Sequence, residues 1–314
     1  MPDISTSSWG KALDDLVDAL FYQVADQQKP MYPKIFNVEN MSKAQIKHLT
    51  GVGFEDWRQS GEAVAASYTR NLQGFTKTYV PTVWKSGFTV TRELRDDVRF
   101  KKVANDTREL AQTSIRTIDK EAAKLLNNAT NTTYFSGADA LALATTHTGE
   151  DGSASIDNAV SGALTEVNLE AARIYFAELV DGRGQLIDSN PQWLLVPPAL
   201  QKEANIILKS TARPATGDND INDLQNFLSV MVWPRLASSQ GGSDTAWIVL
   251  DKTYNDKRGE GDEGAIGLNM LMRVRPEITS ETNIETGVKK YVGYMRLAQG
   301  FTDFREAYHS TGTA

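Results

Sequence analysis

Catalysis needs nucleophiles, acids and bases, or metal ligands held at fixed spacing, and this chain offers few. It has no cysteine and three histidines, His48, His147 and His309, far apart in sequence. Disulfides, thiolate nucleophiles and cysteine metal sites are thereby excluded together. His147 stands near Asp151 and Ser153, the residue types of a nucleophilic triad. The stretch is a Gly/Ser/Thr loop without the supports that orient a catalytic base. Asp218-Asn-Asp220-Ile-Asn222-Asp223 has the opening of a calcium loop. It lacks glycine at the sixth position, and Ser229 stands where the closing glutamate belongs. A mobile loop tip is the stronger reading. Gly259-Glu-Gly261-Asp-Glu-Gly264 has the letters of a dinucleotide loop, but Glu260, Asp262 and Glu263 would repel phosphate. No GxxxxGK[ST], HExxH or GxSxG occurs. The sequence therefore predicts no catalytic residue, no cofactor and no metal, and a protein that is not an enzyme.

With 314 residues and 40% hydrophobic content, the chain can bury one large core or two small ones. No run approaches the roughly 18 to 20 apolar residues of a membrane span, so no membrane association is expected. Met1 to Trp9 lacks the charged start and apolar stretch of a signal peptide. The protein is expected to work where it is made or to leave by cell lysis. The net charge of −7 argues against tight nucleic-acid binding, which is driven by neutralising phosphates. It does not argue against enclosing DNA, since a wall that repels phosphate lets the polymer slide past.

The elements come in a distinctive order. Trp9 to Asp26 repeats Leu13, Leu16, Val17, Leu20 and Val24 at helical spacing, and Pro30 and Pro33 stop it. This predicts either a surface helix or an arm that docks on a neighbour. Residues 62–91 read as a long β-hairpin with its turn near 71–74 at Asn71 and Gly74. Phe75, Lys77 and Tyr79 share one face of its second strand. A lone hairpin of that length is marginal in water and needs a partner surface. Arg92 to Asn128 has neither proline nor glycine. Its narrow apolar stripe predicts a helix of up to about 50 Å. Residues 128–161 read as loop with short strands. Thr165 caps a helix running to Val180. Trp193 to Val196, Val230 to Trp233 and Trp247 to Leu250 are short apolar strands, and Pro197-Pro198 open a helix that buries Ala204, Ile207 and Leu208. Thr211 to Asn222 is a flexible loop, and return strands follow near 271–274 and 290–297.

Three stretches carry a family resemblance: Gly87-Phe-Thr-Val-Thr-Arg-Glu-Leu-Arg-Asp-Asp97, Trp193-Leu-Leu-Val-Pro-Pro-Ala-Leu200 and Gly300-Phe-Thr-Asp-Phe-Arg305. With the order of elements, they resemble the major capsid (head) proteins of tailed bacteriophages, nearest to Mu-like head subunits. The resemblance implies an α+β, Hong Kong 97-type capsid fold. By this likeness residues 1–50 form an N-terminal arm and 54–88 an extended loop. Residues 89–160 with 266–314 form a peripheral domain with a spine helix, and 161–265 an axial α/β domain. It implies a virion protein, assembled in the host cytoplasm into hexamers and pentamers of an icosahedral shell around double-stranded DNA. Scaffolding, portal and decoration proteins would be its partners. Phe75, Lys77 and Tyr79 on the hairpin, and Asp218, Asp220 and Asp223 at the axial tip, are the expected subunit-interface residues. Some relatives join subunits by a lysine–asparagine isopeptide bond. Lys77, with Lys85 behind it, and Asn269 or Asn283 are the candidates, with Glu277, Glu281 and Glu285 nearby. The expectation here is a shell held without such bonds. An encapsulin nanocompartment is the nearer alternative function, and a soluble carboxylate-dependent hydrolase the distant one.

Overall fold

The computed structural model describes residues 6–52, 56–65, 68, 73–96, 100–150, 152, 155–213, 220–253 and 266–312. The chain opens with helix α1 (Thr6–Gln27). Val17, Phe21 and Val24, at helical spacing, are buried against Val103, Leu110 and Ala111 of the same chain. The Lys289 ammonium and the Tyr291 hydroxyl both bond the Asp14 carboxylate, pinning the helix to the body. Of the two readings of this segment, the surface helix is therefore the one observed. A short helix, α2 (Tyr32–Ile35), follows, its first amides accepted by Asp119 Oδ1 at 3.0 and 3.2 Å. Next come β1 (Asn37–Asn40), β2 (Ile46–Gly51), β3 (Gln73–Tyr79) and β4 (Thr82–Val90).

The hairpin differs from its sequence expectation. Strand β3 pairs antiparallel with β2, Ile46 opposite Tyr79 and Leu49 opposite Thr76, so the loop between the arms spans residues 52–72. Gly74 is not in a turn. A Cβ there would stand 1.8 Å from the Thr50 carbonyl oxygen, so glycine is required for the close approach of two backbones. Nor does β4 pair with β3. Pro81 separates them and has no N–H to continue a ladder. Beyond it the chain changes sheets.

That second sheet has the order β1-β11-β12-β4, formed with β11 (Leu268–Thr282) and β12 (Lys289–Phe301), both longer than the periodicity indicated. After α3 (Arg92–Asp96), the strut helix α4 (Phe100–Asn127) packs against this sheet. Its 28 residues give about 42 Å, against the expected span of up to about 50 Å. Residues 97–99, Val98 among them, lie outside the described residues. Val103, Leu110, Ala111, Ile118, Ala122 and Leu125 form its buried stripe.

Short strands β5 (Thr146–Thr148), β6 (Ser155–Asp157) and β7 (Ala159–Val160) lead to α5 (Glu166–Ala177). Thr165 caps α5 as expected, accepting the Asn168 amide. The helix ends before Val180, which instead bridges to Leu186. Then follow β8 (Trp193–Val196), α6 (Gln201–Lys209), β9 (Ser229–Val232), β10 (Trp247–Leu250) and finally β13 (Ala307–Ser310). Helix α6 buries Ala204, Ile207 and Leu208. The five-stranded sheet runs β7-β13-β10-β8-β9. Both β7 and β13 belong to it, so chain divisions at 160/161 and 265/266 do not follow the hydrogen-bond ladders. One core joins the two sheets, with Ile118, Ala122 and Phe301 meeting Leu195 and Val249.

Candidate assembly site

The root of the β2–β3 hairpin is built from buried polar groups. Tyr79 is buried, its hydroxyl 2.9 Å from Thr302 Oγ1, and Asn269 Nδ2 donates to both at 3.2 and 3.0 Å. Burial pushes the Tyr79 phenol up to about 12, because the phenolate would lose its hydration. The His48 ring lies 5.0 Å from the Tyr79 ring. Two residues earlier on the same face, Lys77 Nζ donates to the Ser136 carbonyl at 2.5 Å. Burial lowers its pKa and the charge of Asp139 partly opposes that. Phe75 is partly exposed, and its amide donates to Thr50 Oγ1 at 2.7 Å. The shared face of Phe75, Lys77 and Tyr79 is thus real, but two of its three residues face their own chain. The Lys77 ammonium is spent on a backbone carbonyl of its own chain.

The surface that lacks a covering lies beyond this root. In the 52–72 segment Trp57 is 100% exposed, Tyr68 94% and Val64 65%. Burying such rings is strongly favourable, so rings left fully in water are open to cover by another surface. No period in the sequence singles these three residues out. The available signal was a tryptophan set among Asp56, Arg58 and Gln59.

Of the carboxylates expected at an axial tip, two lie among the described residues. Asp218 lies outside the described residues, as do Gly259 to Gly264. Asp223 sits 3.4 Å from Arg173, which also grips Glu170. Asp220 is exposed and its carbonyl accepts the Arg213 amide at 2.9 Å. Asn222 is buried, donating to the Ile207 and Ser210 carbonyls at 2.6 and 2.9 Å and accepting the Leu224 amide. Its amide therefore anchors the loop base and is not turned out toward a cation. Next to the tip, Ile221 is 87% exposed.

The histidines are core groups. His147 Nδ1 lies 2.6 Å from Asp139 Oδ2, its Nε2 faces the Leu143 carbonyl at 3.3 Å, and its ring stacks on Phe304 at 3.6 Å. Its partner is Asp139, whereas Asp151 and Ser153 lie outside the described residues. A ring with no exposed surface and both nitrogens engaged cannot reach a substrate. Among the described residues no cluster of three or more His, Asp or Glu is placed to hold a metal, and no helix is long and apolar enough to cross a membrane.

A family model for phage capsid proteins matches residues 74–310, which covers β3 through β13. The chain belongs to the phage capsid protein family. No curated protein matches it at the level of sequence. Solved capsids share its fold at low identity. The capsid of an empty GTA particle is 12% identical with TM-score 0.57, covering 92% of this chain and 91% of that one. The capsid of the cyanophage P-SCSP1u is 12% identical with TM-score 0.56, covering 91% and 89%. A Microbacterium phage Oxtober96 chain is 11% identical with TM-score 0.51, covering 91% and 92%. The fold is the Hong Kong 97-type capsid fold. The polar groups at the hairpin root are held by one another and by backbone carbonyls of the same chain.

Proposed function

We propose that the protein is the major head subunit of a tailed phage, assembling into hexamers and pentamers of an icosahedral shell that encloses double-stranded DNA. The exposed Trp57 and Tyr68 carry this reading: the hairpin root is fixed to its own chain, while the segment beyond it presents rings that a neighbouring subunit would cover. In this arrangement the extended loop is the β2–β3 hairpin with residues 52–72. The peripheral unit is the four-stranded sheet with α4, and the axial unit is the five-stranded sheet with α5 and α6. The axial tip near Asp220 and Ile221 faces its counterparts around the capsomere axis. The subunit acts structurally. Assembly takes place in the host cytoplasm with a scaffold and a portal, and decoration proteins bind the finished shell. Electron microscopy of the purified chain tests the core of the proposal. Shells or hexamer and pentamer rings are expected, and a monodisperse monomer at high concentration overturns it. DNA within particles from infected cells separates a virion from a protein-filled compartment.

A further inference from the structure

Helix α4 is two-faced in charge as well as in burial. Its buried side packs on the sheet and α1. Its exposed residues include Lys101, Lys102, Arg108, Arg116, Lys120 and Lys124, against one exposed carboxylate, Glu109. The acids nearest the ribbon's C-terminal half are largely buried, and of them Glu121 lies 3.9 Å from the ribbon's Lys124. Asp119 accepts from the Met31 and Tyr32 amides and the Trp233 indole, and Glu121 accepts from Gln299. Asp14 of α1 is held by Lys289 and Tyr291. Lys101, Lys102, Arg116 and Lys120 have no carboxylate within ion-pair distance among the described residues. Six cations on one face of a chain whose net charge is −7 are therefore a local excess.

We propose that this face binds the phosphate backbone of duplex DNA without regard to sequence, and is the face the subunit turns to the lumen. The inference rests on the shell reading above. From Lys101 to Lys124 the ribbon runs about 35 Å, at about 1.5 Å per residue, close to one duplex turn of about 34 to 36 Å. A straight rod of fixed positive charge matches a polymer whose own charge is uniform along its length, and counterion release drives the contact. Among the described residues, helix α4 itself exposes no large apolar residue, and the one exposed ring beside it, Tyr134, lies under the Lys124 ammonium at 5.6 Å. The core of a protein–protein interface requires such groups, so the charge pattern favours nucleic acid over an acidic polypeptide.

The test uses the unassembled full-length chain and a fluorescent duplex of arbitrary sequence, with affinity measured against salt. Replacing Arg116, Lys120 and Lys124 with glutamine should lower the slope of log affinity on log salt by about 2 to 3, at about 0.9 per phosphate contact. Affinity at low salt should fall at least about tenfold. The same charge change at exposed Lys47, Lys202 and Lys290 should leave both nearly unchanged. Lys120→Arg with Lys124→Arg should keep the wild-type slope, which separates charge from any misfolding in the glutamine variant. Equal losses in the two glutamine triples, or an unchanged slope in the α4 triple, overturn the proposal. So does a variant that keeps duplex binding but loses binding to poly-glutamate. Particle formation by the wild type is scored separately by microscopy; its absence sinks the shell reading whatever the slopes show.

Discussion

At the scale of single residues, burial decides what each ionisable group can do. His309 is buried, and desolvation pulls its pKa from 6.5 down to about 4. A group depressed in the folded state binds protons preferentially when unfolded, so folding stability falls as pH drops from about 6.5 toward 4. The loss is of the order of 3 kcal/mol, at about 1.4 kcal/mol per pKa unit. Denaturant unfolding of the unassembled chain between those pH values should show it, and His309→Gln should flatten the curve. A wild-type curve without a slope there contradicts the burial argument. Lys77 illustrates the same logic for covalent chemistry. Its lowered pKa supplies one requirement of an isopeptide bond, but its amine is held on the Ser136 carbonyl. Asn269 is buried and donates to Tyr79 and Thr302, while Asn283 accepts the Glu285 and Thr286 amides in the β11–β12 turn. The Asn269 amide carbon is fully buried, out of reach of a neighbour's lysine. Particles boiled in detergent should run as a single band at 34.6 kDa. A ladder that disappears in Lys77→Ala would mean that the amine leaves Ser136 on assembly.

At the scale of elements, the hairpin separates into an anchored root and an uncovered loop. Removing residues 62–82 would take away Tyr79, a buried group of the body, and so would confound folding with assembly. The cleaner experiment replaces Trp57 and Tyr68 with serine. Both rings are nearly fully in water in the isolated chain, so the unfolding midpoint should move by no more than about 0.5 kcal/mol in equivalent stability. Shell yield in microscopy or sedimentation should collapse. Normal yield from this double variant would show that the loop is not an assembly element.

At the scale of the molecule, the chain's last turn between sheets is locked by charge. Arg305, between β12 and β13, is 1% exposed and bonds Asp303 and Glu150, both nearly buried, and the Val180 carbonyl. Arg305→Leu removes the guanidinium that bonds both buried carboxylates, which costs about 3 to 5 kcal/mol. Thermal unfolding should report this large loss. A change below about 1 kcal/mol would show that water relieves the carboxylates. The lock matters because β13 carries the C-terminal chain into the five-stranded sheet after β12 has completed the other one.

Local patterns in the sequence were enough to place the main helices, to within a few residues at their ends, and the apolar strands. The stripe of Leu110, Ile118, Ala122 and Leu125 repeats within a single continuous segment, and Thr165 caps the residues next to it, so both features are written in neighbouring positions. Strand partnership is different. Whether β3 pairs with β4 or with β2 depends on Thr50 meeting Gly74 and on Pro81 ending a ladder, and the first of these joins residues far apart in the chain. The same holds for Lys77 on Ser136, Asn269 on Tyr79 and the divided course of the chain through two sheets. Alternation says which residues share a face; only the tertiary structure decides what that face meets, because the partner surface comes from segments that periodicity does not connect.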